Sequence, residues 1–221
     1  MKDLINFISQ FVSEQRVELF KDVIQYRTRY ATVVLEDIFQ PHNASAVLRT
    51  CDCFGVQDVH IIENKNEYRV NHDVSAGSAK WLDLHKYSTL ENNTLDTIKT
   101  LRNNGYRIVA TTPHSNDVDL QDFNLSKGKF ALFFGSEMPG LTKTMLDNAD
   151  EFLKIPMFGF TESFNISVSA AMILQHLTMK LRASELNWQL TDTEKDVIFL
   201  EWLKKTVKQP ESIIKRFNSM K

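Results

Sequence analysis

A chain of 221 residues with 43% hydrophobic and 24% charged side chains holds enough apolar material for one sizeable α/β domain with appendages. The formal net charge of -2 excludes a uniformly basic nucleic-acid coat, and no apolar run approaches the length of a membrane span. The two cysteines, Cys51 and Cys53, are too close together for an ordinary disulfide framework, and the N-terminus lacks the basic and apolar regions of a signal peptide, so a cytoplasmic protein is expected.

The first thirty residues predict two short helices, with apolar stripes at Leu4, Phe7, Ile8, Phe11 and Val12 and at Val17, Phe20, Val23 and Ile24. ATVVLEDI (31–38) has the β-rich character of a buried strand. From Asn43, the positions Ala44, Val47, Leu48, Cys51 and Phe54 mark one helical face, stopped by Gly55. DVHII (58–62) predicts a second strand, followed by a less regular stretch around AGSAKWLDLHKY. A helix is expected over roughly 90–104, with Leu95, Ile98 and Leu101 facing inward. YRIVATT, FALFFG (130–135) and FLKIP read as strands, LTKTMLDNA as a short helix, and 166–185 as a long amphipathic helix. Two further helices open at the capping-type TDTE (191–194) and at Pro210.

Strands alternating with helices predict an α/β fold, a parallel sheet with helices on both faces. The simplest organisation is an N-terminal helical arm (1–30), a central α/β domain (31–185) and a helical, basic extension (186–221). Basic residues gather near both ends: Arg16, Lys21, Arg27 and Arg29, then Lys204, Lys205, Lys208, Lys215, Arg216 and Lys221. Such clusters suit either solvated helix faces or a surface that tracks phosphates.

Glycine and proline are scarce, seven and five, so their placement carries information. Gly135, Pro139, Gly140, Pro156 and Gly159 fall within 25 residues, at the ends of two late strands. In open α/β sheets ligands bind outside the carboxyl ends of strands, where these loops belong. The chain has no G-x-G-x-x-G after its first strand, no P-loop, no H-E-x-x-H or C-x-x-C and no G-x-S-x-G elbow. Ordinary Rossmann dinucleotide sites, P-loop chemistry and serine hydrolysis are therefore not expected, nor is a bound metal.

Three stretches, in order, resemble the sequence motifs of the SpoU (TrmH-type) branch of the SPOUT RNA 2'-O-methyltransferases. They are NASAVLRTCDCFGVQDVHII (43–62), FALFFGSEMPGLT (130–142) and IPMFGFTESFNISVSAAMIL (155–174). The resemblance spans about 31 to 185. It implies a parallel sheet whose C-terminal segment forms a deep trefoil knot, a homodimer, S-adenosylmethionine as cofactor, and methylation of a ribose 2'-hydroxyl. Carried over residue by residue, it implies that Thr111, Gly135, Ile155, Met157 and Phe164 line the cofactor pocket. It also implies that Arg49 is the catalytic centre, with Asn43, Glu137, Ser163 and Asn165 around it and Glu162 balancing charge nearby. Phe160 and Thr161 stand where the family usually has Met and Val, which bears on the shape of the pocket.

Each of these residues has a plainer alternative. Ser and Asn are preferred helix caps, so Ser163, Asn165 and Asn43 suit capping as well as catalysis. Arg49 suits a helix-surface ion pair, and Glu137 a solvent-facing loop. An arginine holds its proton too firmly to be a ready base. Arg49 is therefore read foremost as a clamp on a phosphate that stabilises the developing alkoxide, with transient deprotonation as the alternative.

Two short helices before the first strand and about thirty-five residues after the long helix resemble the family members that modify guanosine 18 of tRNA. VVLEDIFQPHNASAVLRTCDCFGV and GSAKW resemble that subgroup too. tRNA is therefore the expected partner, with ribosomal RNA methylation or a non-catalytic RNA-binding module as alternatives.

Overall fold

A computed structural model of the chain describes residues 1–68, 77–113, 118–136 and 138–220. In chain order the elements are α1 (Lys2–Ser9), α2 (Glu14–Ile24), β1 (Ala31–Glu36), α3 (Pro41–Cys53), β2 (Asp58–Ile62), β3 (Asp83–Tyr87) and α4 (Asn93–Asn103). They continue with β4 (Arg107–Thr111), β5 (Val118–Asp119), β6 (Phe130–Phe134), α5 (Lys143–Asp147), β7 (Glu151–Lys154), α6 (Ile166–Arg182), α7 (Asp192–Thr206) and α8 (Pro210–Asn218). The chain divides into two compact units, Arg29–Trp188 and Met1–Thr28 with Gln189–Lys221.

In the larger unit seven strands form a sheet in the order β3-β2-β1-β6-β4-β7-β5, and each adjacent pair is parallel. Successive residues of a strand point to opposite faces, so each central strand feeds two cores. Val33, Leu35, Val109, Leu132 and Phe134 face α3 and α6, meeting Ala44, Val47, Leu48 and Cys51 from one and Ala170, Ile173, Leu174 and Leu177 from the other. Val34, Ile62, Ile108, Ala110, Ala131 and Phe133 face α4 and α5, meeting Ile98, Leu101 and Met145. Burial on both faces is why β6 is apolar throughout and why β1 and β2 are mostly apolar without polar alternation.

The structure departs from the sequence reading at several places, among them the short edge strand β5, which that reading did not predict. β3, inside the stretch taken as irregular, pairs only with β2 at the sheet edge; as a half-buried strand of mostly polar residues (DLHKY) it offers no apolar run. In α4 the inward positions beside Ile98 and Leu101 are Thr94 and Thr97, while Leu95 is half-buried. The third helix starts at Pro41 with Gln40 as its cap, so Asn43 lies inside the first turn and is 2% exposed. Proline suits that first position because its missing N–H would have no partner there.

The terminal segments, read as separate arms, build one helical unit. Phe20 packs edge-on against Trp202 and Phe199, at 5.5 and 6.2 Å between ring centroids, and Phe7 meets Phe217 at 5.3 Å. The Arg27 guanidinium lies over the Trp202 ring at 5.2 Å. The TDTE signal forms a full capping box, with Thr191 and Glu194 each bonding the other's backbone N–H. Cys51 is buried and Cys53 exposed, and the two form no disulfide. Among the described residues no helix is long and apolar enough to cross a membrane.

Candidate active site

The carboxyl ends of the neighbouring strands β6, β4 and β7 open into a cavity of about 350 Å³, within the range of small-ligand sites. Three segments wall it: the residues after β4 (Thr111–Pro113), the loop after β6, and the long connection from β7 into α6. The loop after β6 doubles back sharply. A Cβ on Gly135 would collide with the backbone of Gly140 and Leu141, and Gly140 itself sits at φ +87°, which other residues rarely adopt. These two glycines let the chain fold back on itself and present main-chain groups to the cavity. Below the rim the walls are apolar, from Leu141, Leu146, Leu153, Ile155, Ile166 and Ile173.

All five residues expected around a cofactor, Thr111, Gly135, Ile155, Met157 and Phe164, line this cavity. The Thr111 hydroxyl donates to the Phe133 carbonyl at 2.7 Å, tying β4 to β6 below the rim. Ser163 and Glu162 line the cavity too, and both are exposed. Phe158 and Phe160, on the same connection, are 98% and 108% exposed.

Asn165 is the N-cap of α6: its Oδ1 accepts from the Ser167 N–H at 2.8 Å and from the Ser167 hydroxyl at 2.6 Å. Its Nδ2 donates to Asn43 Oδ1 at 3.2 Å, and Asn43 in turn donates to Gln40 Oε1 at 3.4 Å. The two asparagines, from the first and third motifs, thus meet where α3 and α6 begin. Capping and contact with the first motif use different atoms of one side chain. Arg49, farther along α3, is exposed, and no hydrogen bond or ion pair holds it among the described residues. Glu137 lies outside the described residues.

Sequence reasoning missed other parts of the lining. Thr112 and Pro113 follow the first cavity residue, and the Thr112 N–H donates to the Leu153 carbonyl at 3.1 Å. Lys154, at the end of β7, lines the cavity and pairs with Asp119 at 3.5 Å. Ser169 and Ile173 reach it from α6 at helical spacing. The Thr-Thr-Pro end of β4 was a visible signal. Nothing local marked Lys154, Ser169 or Ile173, because strand order and helix placement bring them there.

The model of the SpoU rRNA Methylase family matches residues 30–175. The chain belongs to the SpoU methylase family. Along 97% of its length it is 40% identical to the tRNA (guanosine(18)-2'-O)-methyltransferase of Borreliella burgdorferi, covering 96% of that protein. It is 32% identical to the enzyme of the same name from Thermus thermophilus, over 87% of this chain and 98% of the relative. The crystal structure of the A. aeolicus TrmH/SpoU tRNA modifying enzyme superposes with a TM-score of 0.75 at 26% identity, covering 88% of this SpoU-family chain and 98% of the other.

Proposed function

We propose that this SpoU-family protein transfers a methyl group from S-adenosylmethionine to the ribose 2'-hydroxyl of guanosine 18 in tRNA. The observation that carries this reading is the 40% identity, along nearly the whole of both chains, to an enzyme named for that reaction. The cavity fits the cofactor. It offers apolar walls for a purine, backbone turned inward where Gly135 admits no side chain, and a volume suited to a small ligand. When bound, S-adenosylmethionine supplies an electrophilic methyl group.

The protein's own task is to hold the ribose hydroxyl in attack geometry and to stabilise charge as its oxygen becomes nucleophilic. In this reading Ile155, Met157 and Phe164 hold the purine, and Thr111 and Gly135 shape the floor and turn of the pocket. Arg49 stays charged, clamps a neighbouring phosphate and stabilises the alkoxide, work that suits an exposed guanidinium with no protein partner among the described residues. Asn43 and Asn165 fix the start of α3, and with it the helix that carries Arg49. Ser163 faces the reacting centre from the cavity rim.

Three further features belong to the same reading. The first is a trefoil knot, supported by β7 inserting between β4 and β5, strands that precede it in the chain. The second is a homodimer, supported by exposed Val168, Met172 and Met179 on one side of α6. The third is work in the cytoplasm, on tRNA phosphates tracked by the basic C-terminal helices, a contact that weakens steeply with salt.

The test is transfer of labelled methyl to tRNA transcripts that carry or lack a 2'-hydroxyl at guanosine 18, with ribosomal RNA in parallel. Labelling that requires that hydroxyl is the expected result. Labelling of ribosomal RNA alone would move the substrate to the one in the family's name. No labelling, with cofactor and RNA both bound, would leave a non-catalytic RNA-binding module.

A further inference from the structure

Glu36, the last residue of β1, is 1% exposed, in a central strand that is otherwise apolar or hydroxylic. A carboxyl group is costly to bury unless its oxygens find hydrogen-bond partners. Here three donors converge. The Thr142 N–H reaches Oε2 at 2.8 Å, the Thr142 hydroxyl reaches Oε1 at 2.8 Å, and the Thr94 hydroxyl reaches Oε1 at 2.6 Å. Both hydroxyls must donate, since a carboxylate only accepts, and each has an acceptor role left over. Thr142 Oγ1 takes the Met145 N–H at 3.2 Å, and Thr94 Oγ1 takes Asn64 Nδ2 at 2.9 Å. Each carboxylate oxygen therefore has at least one donor, and both threonine hydroxyls are used as donor and acceptor.

The placement is as specific as the bonding. β1 and β6 pair with Leu35 opposite Phe134, so Glu36 stands level with Gly135, where the cavity loop leaves the sheet. Thr142 stands at the other end of that loop and caps α5. Between them Gly135, Ser136, Met138, Pro139, Gly140 and Leu141 all line the cavity. β6 anchors the start of the loop, and Glu36 holds its end. Glu36 does not line the cavity, so it acts through the loop.

We propose that Glu36 is a positioning residue that fixes the 135–142 loop in the form that receives the cofactor. This inference rests on the reading of the cavity as an S-adenosylmethionine site. A Glu36 that served stability alone would affect cofactor binding only in proportion to the stability it supplies. A positioning role predicts a loss at the cofactor that its other partner, Thr94, does not share.

The experiment measures S-adenosylmethionine affinity by calorimetry, and thermal unfolding in parallel, for the full-length protein and its variants. Glu36→Ala is expected to weaken cofactor binding about tenfold or more. Glu36→Gln keeps an acceptor for the Thr142 N–H but faces both threonine hydroxyls with a group that only donates, so its loss should be smaller than that of Glu36→Ala and larger than that of Thr94→Val. Thr94→Val removes one bond to the same carboxylate from outside the loop and should stay within about twofold. In steady state Glu36→Ala should raise the KM for the cofactor while KM for tRNA holds. Unchanged affinity in Glu36→Ala, or losses in all three variants that simply follow their melting temperatures, would overturn the proposal. If Glu36→Ala does not fold, Glu36→Asp carries the test. It keeps the charge but withdraws it by one methylene, and unchanged affinity there overturns the proposal equally. The unaltered protein is titrated first. Failure of that protein to bind the cofactor would overturn the cavity assignment, and this role with it, whereas normal binding with an indifferent Glu36 would overturn this role alone.

Discussion

Arg49 and Asn165 are embedded in the fold to very different degrees, and their variants should differ accordingly. Arg49 is exposed on α3, so Arg49→Ala should shift stability by no more than about 0.5 kcal/mol while abolishing methyl transfer. A thermal melt and a labelled-methyl assay on the same preparation check both halves. Asn165 caps α6 through Oδ1 and reaches Asn43 through Nδ2. Asn165→Ala should cost about 1 kcal/mol from the lost cap. Asn165→Asp keeps a capping acceptor but loses the amide donor, so its stability should stay near that of the unaltered protein while kcat falls on the order of 100-fold. Unchanged kcat in the aspartate variant would reduce Asn165 to a cap. The identities of these residues were legible in the sequence as motif letters. Their meeting was not, because 122 positions separate Asn43 from Asn165 and only the packing of α3 against α6 closes that gap.

At the scale of elements, the loop after β6 depends on a glycine for reach. Gly135→Ala would drive a methyl group into the Gly140–Leu141 backbone, so the loop must move. Cofactor affinity, read by calorimetry, should fall about tenfold or more while far-ultraviolet circular dichroism holds. The scarcity of glycine made this loop conspicuous in the sequence, but the collision partner is visible only once the turn is folded. A second element-level feature was silent in the sequence. Where β2 and β3 pair, His60 stacks on His85 at 4.6 Å, His85 Nε2 meets Asp58 Oδ1 at 2.7 Å, and Arg29 bridges Asp58 and Asp83 at 2.7 Å each. Burial, with the charge of His85 nearby, pushes His60 down to about 4. The hydrogen bond to Asp58 raises His85, against its partial burial. Burial pushes Asp58 upward, but His85 and Arg29 outweigh it and hold the carboxyl below its usual range.

The signs of these shifts decide the acid behaviour of that edge. His60, depressed when folded, adds stability that is present above its unfolded value of 6.5 and lost as pH falls through about 4, a loss of roughly 3 kcal/mol when complete. His85, raised when folded, adds stability that is present below 6.5 and lost as pH rises through its folded value. Asp58 adds stability that is present above 3.8 and lost only as pH falls through its lowered folded value. Between pH 7 and 5 the two histidines therefore pull in opposite directions. His60→Gln should remove the acid penalty, so its urea midpoint should lose less between those pH values than that of the unaltered protein. An equal loss in both would show that His60 does not govern the acid limb.

At the scale of the molecule, the sheet order places the cavity. β6, β4 and β7 are neighbours in space, although β5 lies between β4 and β6 in the chain, and their carboxyl ends carry the three loops that meet there. The exposed apolar side of α6 is the whole-molecule feature that argues for a second copy. In the proposed dimer, Met172→Glu would desolvate a carboxylate at the interface, so the dissociation constant of that dimer should rise about tenfold or more. Light scattering across a dilution series reads this directly, and an unshifted mass would place the interface elsewhere.

The sequence by itself determined the local part of this protein. Hydrophobic period set the strands and helices, the TDTE box and Pro210 set helix starts, and three ordered motifs marked α3 and two of the three loops that wall the cavity. These signals survive in one dimension because each depends on neighbours within a few residues. Tertiary structure alone decided what depends on distant parts of the chain. It made a polar, half-buried stretch into the edge strand β3, joined the terminal segments into one helical unit, and brought Asn43 to Asn165. It also set an acid in the apolar run VVLEDI under the cavity loop, where donors 58 and 106 positions away satisfy it. Burial and hydrogen-bond satisfaction depend on which surfaces meet, and no local period encodes that choice.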